Sequence, residues 1–474
     1  MREPLYISTR GESRPLPFEE VLLKGLAPDG GLYLPDFSDD EMEKLVDPAE
    51  LRGKNYAETA YRIILPFIKG SPHISDRDLA EMCDQVYSGA IFDHAAIAPL
   101  KQLDNNLWGL ELFHGPTFAF KDYALQLVGK MFDHVLKQKK ERLTIIGATS
   151  GDTGSAAIRA VSKAENIRIF MLHPFKRVSD MQRKQMVTVT DKNVHNLAVK
   201  GNFDDCQNIV KSLFGDAELN QNVNLGAVNS INFARILAQI VYYFYAGINL
   251  AADQRAVDIV VPTGNFGNIF AAFLAKKMGL KINRLLIASN VNDILPRFIA
   301  SGTMEKKDGV ASLSPSMDIQ ISSNFERLLY YAADRNTSTV NRLMKQFKET
   351  GIFTADDKIM ENIRQTFSAI SIDDDETLGS IRKTYDDCKE ITDPHSAVAI
   401  AAARKHLETS ALPAIAIMTA HPAKFTATVK KAIDIEPPIP DDLKRLETLS
   451  EKYDIVENDI LAVKNCIMKN KQSE

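Results

Sequence analysis

The chain has 474 residues, with 57 Lys and Arg against 62 Asp and Glu, and so a net charge of −5. Its 45% hydrophobic and 25% charged residues are those of an ordinary globular protein, which excludes a disordered chain, a collagen-like repeat and a disulfide scaffold. No run of about 18 apolar residues is free of charge, so no membrane span is expected. The near-neutral balance argues against a general nucleic-acid binder.

The first stretch, to about residue 95, opens with turns and continues as helix. Pro28-Asp29-Gly30-Gly31 reads as a turn, and Leu32-Tyr33-Leu34 as a short strand stopped by Pro35. Apolar spacing predicts helices over 56–68 and 75–87, with Ser75 and Asp76 available as N-caps. From about residue 105 the texture changes. Apolar strands at 143–146, 168–172, 196–199, 257–261, 285–288 and 414–418 alternate with helical runs at 124–135, 155–161, 205–213 and 269–278. This alternation predicts an α/β protein built on parallel βαβ units, with helices on both faces of the sheets. Gly-, Ser- or Asp-rich breaks at 301–312 and 371–378 bracket three predicted helices (324–333, 340–350 and 357–368), an inserted helical layer. Pro437-Pro438-Ile439-Pro440 leads into a final helical piece.

Cys83, Cys206, Cys388 and Cys466 lie far apart, so neither a zinc site nor a redox dithiol is expected. They suit a reducing compartment, and Met1-Arg2-Glu3-Pro4 lacks the apolar region of a secretory signal, so the cytoplasm is the expected location.

Five segments carry chemistry. Gly264-Asn265-Phe266-Gly267-Asn268 stands between a strand and a helix. Glycines there expose backbone N–H groups, and the helix start adds about half a positive charge, so a phosphate monoester fits; the competing reading is a tight turn without ligand. Gly147-Ala148-Thr149-Ser150-Gly151-Asp152-Thr153-Gly154-Ser155 is a second strand-to-helix turn, rich in hydroxyls. One of them is expected to cap the helix, and the others suit a carboxylate or phosphate. Neither turn carries a Walker lysine or GxGxxG spacing, which makes a nucleotide enzyme a weak alternative. His114-Gly115-Pro116-Thr117-Phe118-Ala119-Phe120-Lys121-Asp122 sets one lysine behind aromatic residues. In apolar surroundings its pKa falls and it becomes a nucleophile or base; most lysines are solvated surface charges instead. Thr419-Ala420-His421-Pro422-Ala423-Lys424-Phe425 follows a strand, where α/β proteins bind ligands; His421 reads equally as acid or base and as a hydrogen-bonded structural residue. Asn229-Ser230-Ile231-Asn232-Phe233-Ala234-Arg235 opens a helix, with Arg235 as an anion fork or an exposed charge.

Together, HGPTFAFKD, GATSGDTGSAA, PTGNFGN and TAHPAKF, in this order, resemble threonine synthase, of the tryptophan-synthase-β-like, fold-type II group of pyridoxal 5′-phosphate enzymes. YISTRG at 6–11 and GLAPDGGLY at 25–33 resemble the extra N-terminal domain of the longer branch, and the likeness runs from about residue 2 to 430. The resemblance implies two lobes with mainly parallel sheets. An N-terminal domain would span 1–95, a catalytic core 96–430 with a small movable lobe near 125–240 and a helical insert near 310–375, and a helical end 431–474. It implies Lys121 as the lysine that carries the cofactor, Gly264, Asn265, Phe266, Gly267 and Asn268 at the cofactor phosphate, and Thr419 facing the pyridine nitrogen. Thr149, Ser150, Asp152, Thr153, Asn229, Ser230, Asn232 and Arg235 would line the substrate side, with Lys176, Arg177 and Arg183 as further cations near its approach. Ser396 stands where the family has threonine, a change that keeps the hydroxyl.

The implied reaction turns O-phospho-L-homoserine and water into L-threonine and phosphate by γ-elimination and β-addition, without a metal, in a monomer or homodimer. The alternatives are a phospho-lyase or dehydratase that yields 2-oxobutanoate and, from another class, a non-catalytic binder of phosphate ligands.

Overall fold

The computed structural model describes residues 2–149 and 151–471. Two parallel-rich sheets organise it, because apolar strands bounded by turns bury both faces under helices. The first has six strands in the order Phe367–Ser371, Ile282–Ser289, Val257–Pro262, Ala414–Met418, Leu107–Glu111 and Leu100–Asp104. All neighbours are parallel except the last pair. Every residue of Val257–Pro262 and of Ala414–Met418 is buried, and the one charged member, Asp258, is paired with His406, Asn283 and Ser410. The second sheet has five strands, all parallel, in the order Asp454–Val456, Val194–Val199, Ile167–Pro174, Leu143–Ala148 and Leu225–Gly226.

The N-terminal stretch pairs Tyr6–Ser8 with Tyr33–Pro35 antiparallel and adds the helices Tyr56–Ile68 and Asp76–Val86. Ser75 caps the latter, its hydroxyl accepting from Asp78 N while the Asp78 carboxylate accepts from Ser75 N. Tyr6 OH donates to Phe67 O at 2.7 Å, joining strand and helix.

Two strands depart from expectation. Phe367–Ser371 lies where a helix end and a polar break were predicted, and it forms an edge of the first sheet. The inserted layer is therefore the helices Phe325–Ala332, Thr337–Thr350 and Asp357–Arg364 with this strand behind them. The terminal piece, predicted helical, contains Asp454–Val456, which pairs with Leu197–Val199 before the helix Ile460–Lys471. Both strands are short edges that carry polar side chains, so no local periodicity marked them. Among the described residues no helix is long and apolar enough to cross a membrane.

Candidate active site

The strands Val257–Pro262, Ala414–Met418 and Leu107–Glu111 are parallel neighbours, so the segments after them emerge together at their carboxyl ends. Those segments are the 264–268 turn, the 419–425 segment and the approach to Lys121. Thr419 is fixed on both sides: Phe120 N donates to Thr419 O at 2.9 Å, and Thr419 N donates to Ser396 Oγ at 3.0 Å. Ser396 Oγ in turn donates to Asp393, which also caps its helix. The hydroxyl kept at Ser396 is thus in use.

Lys121 is the first residue of the helix Lys121–Lys139, three residues earlier than the apolar spacing predicted. Its side chain is 13% exposed, with Nζ 3.7 Å from Asp152 Oδ2. Burial lowers its pKa, and the nearby cations Lys424 and Arg235 add to that against the attraction of Asp152 and Asp122. Gly115 makes room for Asp122, since a Cβ there would lie 2.5 Å from Asp122 Cβ. Asp122 accepts from Thr117 N and Thr117 Oγ1, both at 2.8 Å, and burial pushes its carboxyl up to about 6. Phe118 and Phe266 take φ of 58° and 63°, the left-handed region. For a non-glycine this costs of the order of 1–3 kcal/mol, strain of the kind that collects at functional loops.

Thr149 Oγ1 accepts from Gly151 N at 3.0 Å and Gly154 N at 2.9 Å, so its hydroxyl shapes the turn. Asp152 is the first residue of its helix. Its carboxylate takes Lys424 Nζ at 2.6 Å and Gln182 Nε2 at 2.9 Å, with Lys121 beyond. Despite burial, the charges of Lys424 and Lys121 hold it well below the usual carboxylate range. Asn232 is likewise spent on the protein, its Nδ2 donating to Leu22 O at 2.8 Å and its Oδ1 accepting from Ala234 N at 3.0 Å. These three were expected on the substrate side; in the structure their polar atoms are paired within the protein. Ser150, another of that set, lies outside the described residues. Thr153 and Ser230 are partly exposed, and Asn229 is exposed, its Oδ1 accepting from Ile231 N at 3.3 Å.

Arg235, expected as an anion fork or an exposed charge, is buried. It is 3% exposed, and among the described residues its Nε has no partner. Nη1 makes one long contact, 3.5 Å to Val228 O, and burial lowers the pKa to about 10. A buried guanidinium without a carboxylate is costly unless an anion completes it. Arg183 is engaged elsewhere, with Glu451, and Lys176 and Arg177 are exposed. His421 resolves to the structural reading: its Nδ1 accepts from Ala423 N at 3.1 Å, and burial lowers its pKa to about 4, so it is neutral near pH 7.

The 264–268 turn is braced from the insert. Ser322 Oγ donates to Gly264 O at 2.7 Å, and Asn324 N and Nδ2 donate to Asn265 O at 3.1 and 2.9 Å. A Cβ on Gly264 would lie 3.1 Å from Ser316 O. Asn268 Oδ1 accepts from Tyr242 and Tyr243 at 2.5 and 2.6 Å, which orients its buried Nδ2, left without a partner among the described residues. The helix Gly267–Lys277 starts here, and the first N–H groups of a helix have no partner within it. Donors of this kind, beside a buried lysine and a buried arginine, fit a phosphorylated, lysine-bound cofactor. Sequence reasoning missed Lys424, Gln182, Asn324 and the two tyrosines. Only Lys424 lay in a segment already singled out, and nothing local distinguished it.

Sheets, turns and lysine together define the class as a fold-type II pyridoxal-phosphate enzyme. Residues 92–418 match the family model described as a pyridoxal-phosphate dependent enzyme, residues 5–87 that of the threonine synthase N terminus, and residues 396–467 that of the threonine synthase C-terminal part. Threonine synthase of Pseudomonas aeruginosa is 46% identical over 97% of each chain, and that of Saccharomyces cerevisiae 41% over 98% of this chain and 97% of its own. A crystal structure of pyridoxal-phosphate-bound threonine synthase from Brucella melitensis superposes with a TM-score of 0.92 at 46% identity, covering 98% of this chain and 99% of that one. The chain belongs to the threonine synthase family.

Proposed function

We propose that the chain converts O-phospho-L-homoserine and water into L-threonine and phosphate. The observation that carries this reading is the pairing of a largely buried lysine at a helix start with a buried Arg235 that has no carboxylate partner among the described residues. In this reading Lys121 carries pyridoxal 5′-phosphate, whose phosphate the Gly264–Asn268 turn holds, with Asn268 Nδ2 among the donors. Thr419 faces the ring nitrogen. When bound, the cofactor supplies an electron sink that acidifies carbon-bound hydrogens of the substrate.

The remaining work falls to the protein. Lys121, whose burial disfavours the ammonium, takes the proton from the substrate α-carbon and returns it. Arg235 grips the substrate phosphate, offsets the charge that grows as it departs, and keeps it near the β-carbon. Thr149, Asp152 and Asn232 hold their loops rather than the ligand. The smaller unit, near 125–240, closes over the site and keeps out water that would divert the reaction to a keto acid.

The purified protein should be yellow, and borohydride should fix the cofactor on Lys121. Phosphate release from phosphohomoserine should accompany threonine on chromatography. Lys121→Ala should abolish turnover with the melting temperature kept. A colourless protein, label on another lysine, or 2-oxobutanoate as the main product would overturn the reading. The same reading sets the enzyme in the cytoplasm as a monomer or homodimer, which cell fractionation and light scattering test.

A further inference from the structure

Lys424 is a fully buried lysine that the mechanism above does not use. Its side chain is 0% exposed, and its Nζ donates to Asp152 Oδ1 at 2.6 Å and to Thr117 O at 2.8 Å. Asp152 directs its other oxygen, Oδ2, to Lys121 Nζ at 3.7 Å. One carboxylate therefore stands between two ammonium groups. Gln182 Nε2 shares Oδ1 at 2.9 Å, and Ser179 Oγ donates to Gln182 Oε1 at 2.9 Å, so the carboxylate's orientation is held from its own side as well.

The placement of these groups matters. Asp152 and Gln182 ride on helices beside the five-stranded sheet. Lys424 and Thr117 belong to the segments that leave the six-stranded sheet. The Lys424–Asp152 pair thus crosses from one unit to the other, and Gln185 Nε2 crosses beside it to the same Thr117 O at 3.0 Å. Thr117 is also the residue that holds Asp122, the neighbour of Lys121.

We propose that Lys424 is a positioning residue for Lys121: it holds the Asp152 carboxylate and offsets its charge, so that Lys121 can lose its proton. This rests on Lys121 being the cofactor-bearing lysine, as proposed above. A lone carboxylate about 4 Å from an amine favours the ammonium form, by about 1–3 pH units for a buried pair. The charges that face Lys121 are Asp152 across the unit boundary, Lys424 on the same side as Lys121, Arg235 on the helix Phe233–Asn249, and Asp122 on its own helix. Of these, Lys424 both repels the Lys121 proton directly and occupies the carboxylate that would retain it.

Competitive acetylation of the cofactor-free protein across pH, read at the Lys121 peptide by mass spectrometry, gives the midpoint of Lys121 without any turnover. Lys424→Met should move that midpoint up by about one unit or more, and Lys424→Arg should leave it near wild type. Asp152→Asn should move it down. The double variant, Lys424→Met with Asp152→Asn, should return it close to wild type, because one charge of each sign is removed. In the holoenzyme the acidic limb of kcat/KM should follow the same order.

An unchanged midpoint in a folded Lys424→Met protein overturns the proposal. Should that variant not fold, the comparison of Asp152→Asn with the double variant decides: a midpoint that stays low in the double variant overturns it equally. The borohydride experiment is separate. Label on Lys121 with no midpoint shift rejects the role of Lys424 alone, whereas label elsewhere rejects the reading beneath it.

Discussion

Arg327 donates to the carbonyl oxygen of Tyr33 through both Nε and Nη2, at 3.1 and 3.0 Å. The same fully buried guanidinium donates to Ile231 O at 2.7 Å and to Asn324 Oδ1. It therefore ties the N-terminal strand, the segment that opens the Arg235 helix, and the residue that braces the 264–268 turn. Burial lowers its pKa to about 9, which still leaves it charged near pH 7.

Replacing Arg327 by methionine strands several buried carbonyls at once. Each unsatisfied group costs about 1–3 kcal/mol, so a loss of roughly 3 kcal/mol or more is expected in urea unfolding. Cofactor affinity should fall with it, because Asn324 loses its anchor. Arg327→Lys should rescue poorly, since one ammonium cannot reproduce the planar fork that spans these acceptors. Retention of both stability and cofactor in Arg327→Met would refute this account.

Asn268 divides its amide between two tasks. Its Oδ1 is occupied by Tyr242 and Tyr243, and its Nδ2, without a partner among the described residues, is the donor that the proposed function gives to the cofactor phosphate. Asn268→Ala should strand the buried Tyr243 hydroxyl, leave Tyr242 OH with Gln239 Oε1, and remove a donor, costing about 2 kcal/mol in cofactor binding, or roughly 30-fold. Tyr243→Phe removes one bond of a shared pair and should cost about 1 kcal/mol in stability, with cofactor affinity nearly kept. Titration of the apoenzyme with pyridoxal phosphate, followed by visible absorbance, separates the two effects.

What could be read in advance follows a physical line. Ala414–Met418 was legible because a strand buried on both faces is apolar, and Val257–Pro262 because its apolar run survives one buried Asp258, which His406, Asn283 and Ser410 pair. The turns before Ile269 and before Ser155 were legible because glycines and hydroxyls have few other reasons to cluster between a strand and a helix. The loop-bracing bonds of Thr149 and Asn232 were not legible, because a ligand-binding polar atom and a loop-bracing one have the same chemistry in one dimension. Lys424 was illegible for a different reason: its partner Asp152 is on a helix beside the other sheet, far away in the chain. Phe367–Ser371 and Asp454–Val456 depended on pairing partners equally remote.

His114 donates toward two carboxylates, Asp93 at 2.8 Å through Nδ1 and Glu111 at 2.7 Å through Nε2. Burial opposes its protonation, but these two hydrogen bonds and charges outweigh it and raise the pKa to about 9. A histidine raised in the fold above its unfolded value of about 6.5 contributes its full stability below that pH. The contribution is lost as pH climbs through about 9. The upper bound is about 3 kcal/mol. His114→Gln should therefore destabilise the protein most at pH 6, and the gap to wild type should close by about pH 9.5. Urea midpoints measured at both pH values check it; a gap that does not vary with pH would contradict the assignment.

Leu443 links the terminal segment to the site. It is 1% exposed and packs with Phe118 and Ala423, the former three residues before Lys121 and the latter adjacent to Lys424, with Met181 alongside. Ile467, also 1% exposed, packs instead with Phe170, Cys206 and Ile209 on the five-stranded sheet. Truncating either to alanine should cost about 2–3 kcal/mol, the range for a buried aliphatic side chain. Only Leu443→Ala should disturb the cofactor, because only that cavity lies against the left-handed Phe118 that aims the chain into Lys121. A faster loss of cofactor on dialysis, and a changed visible spectrum, are expected for Leu443→Ala and not for Ile467→Ala. Equal spectra in two equally destabilised variants would show that the terminal segment supports the fold without reaching the lysine.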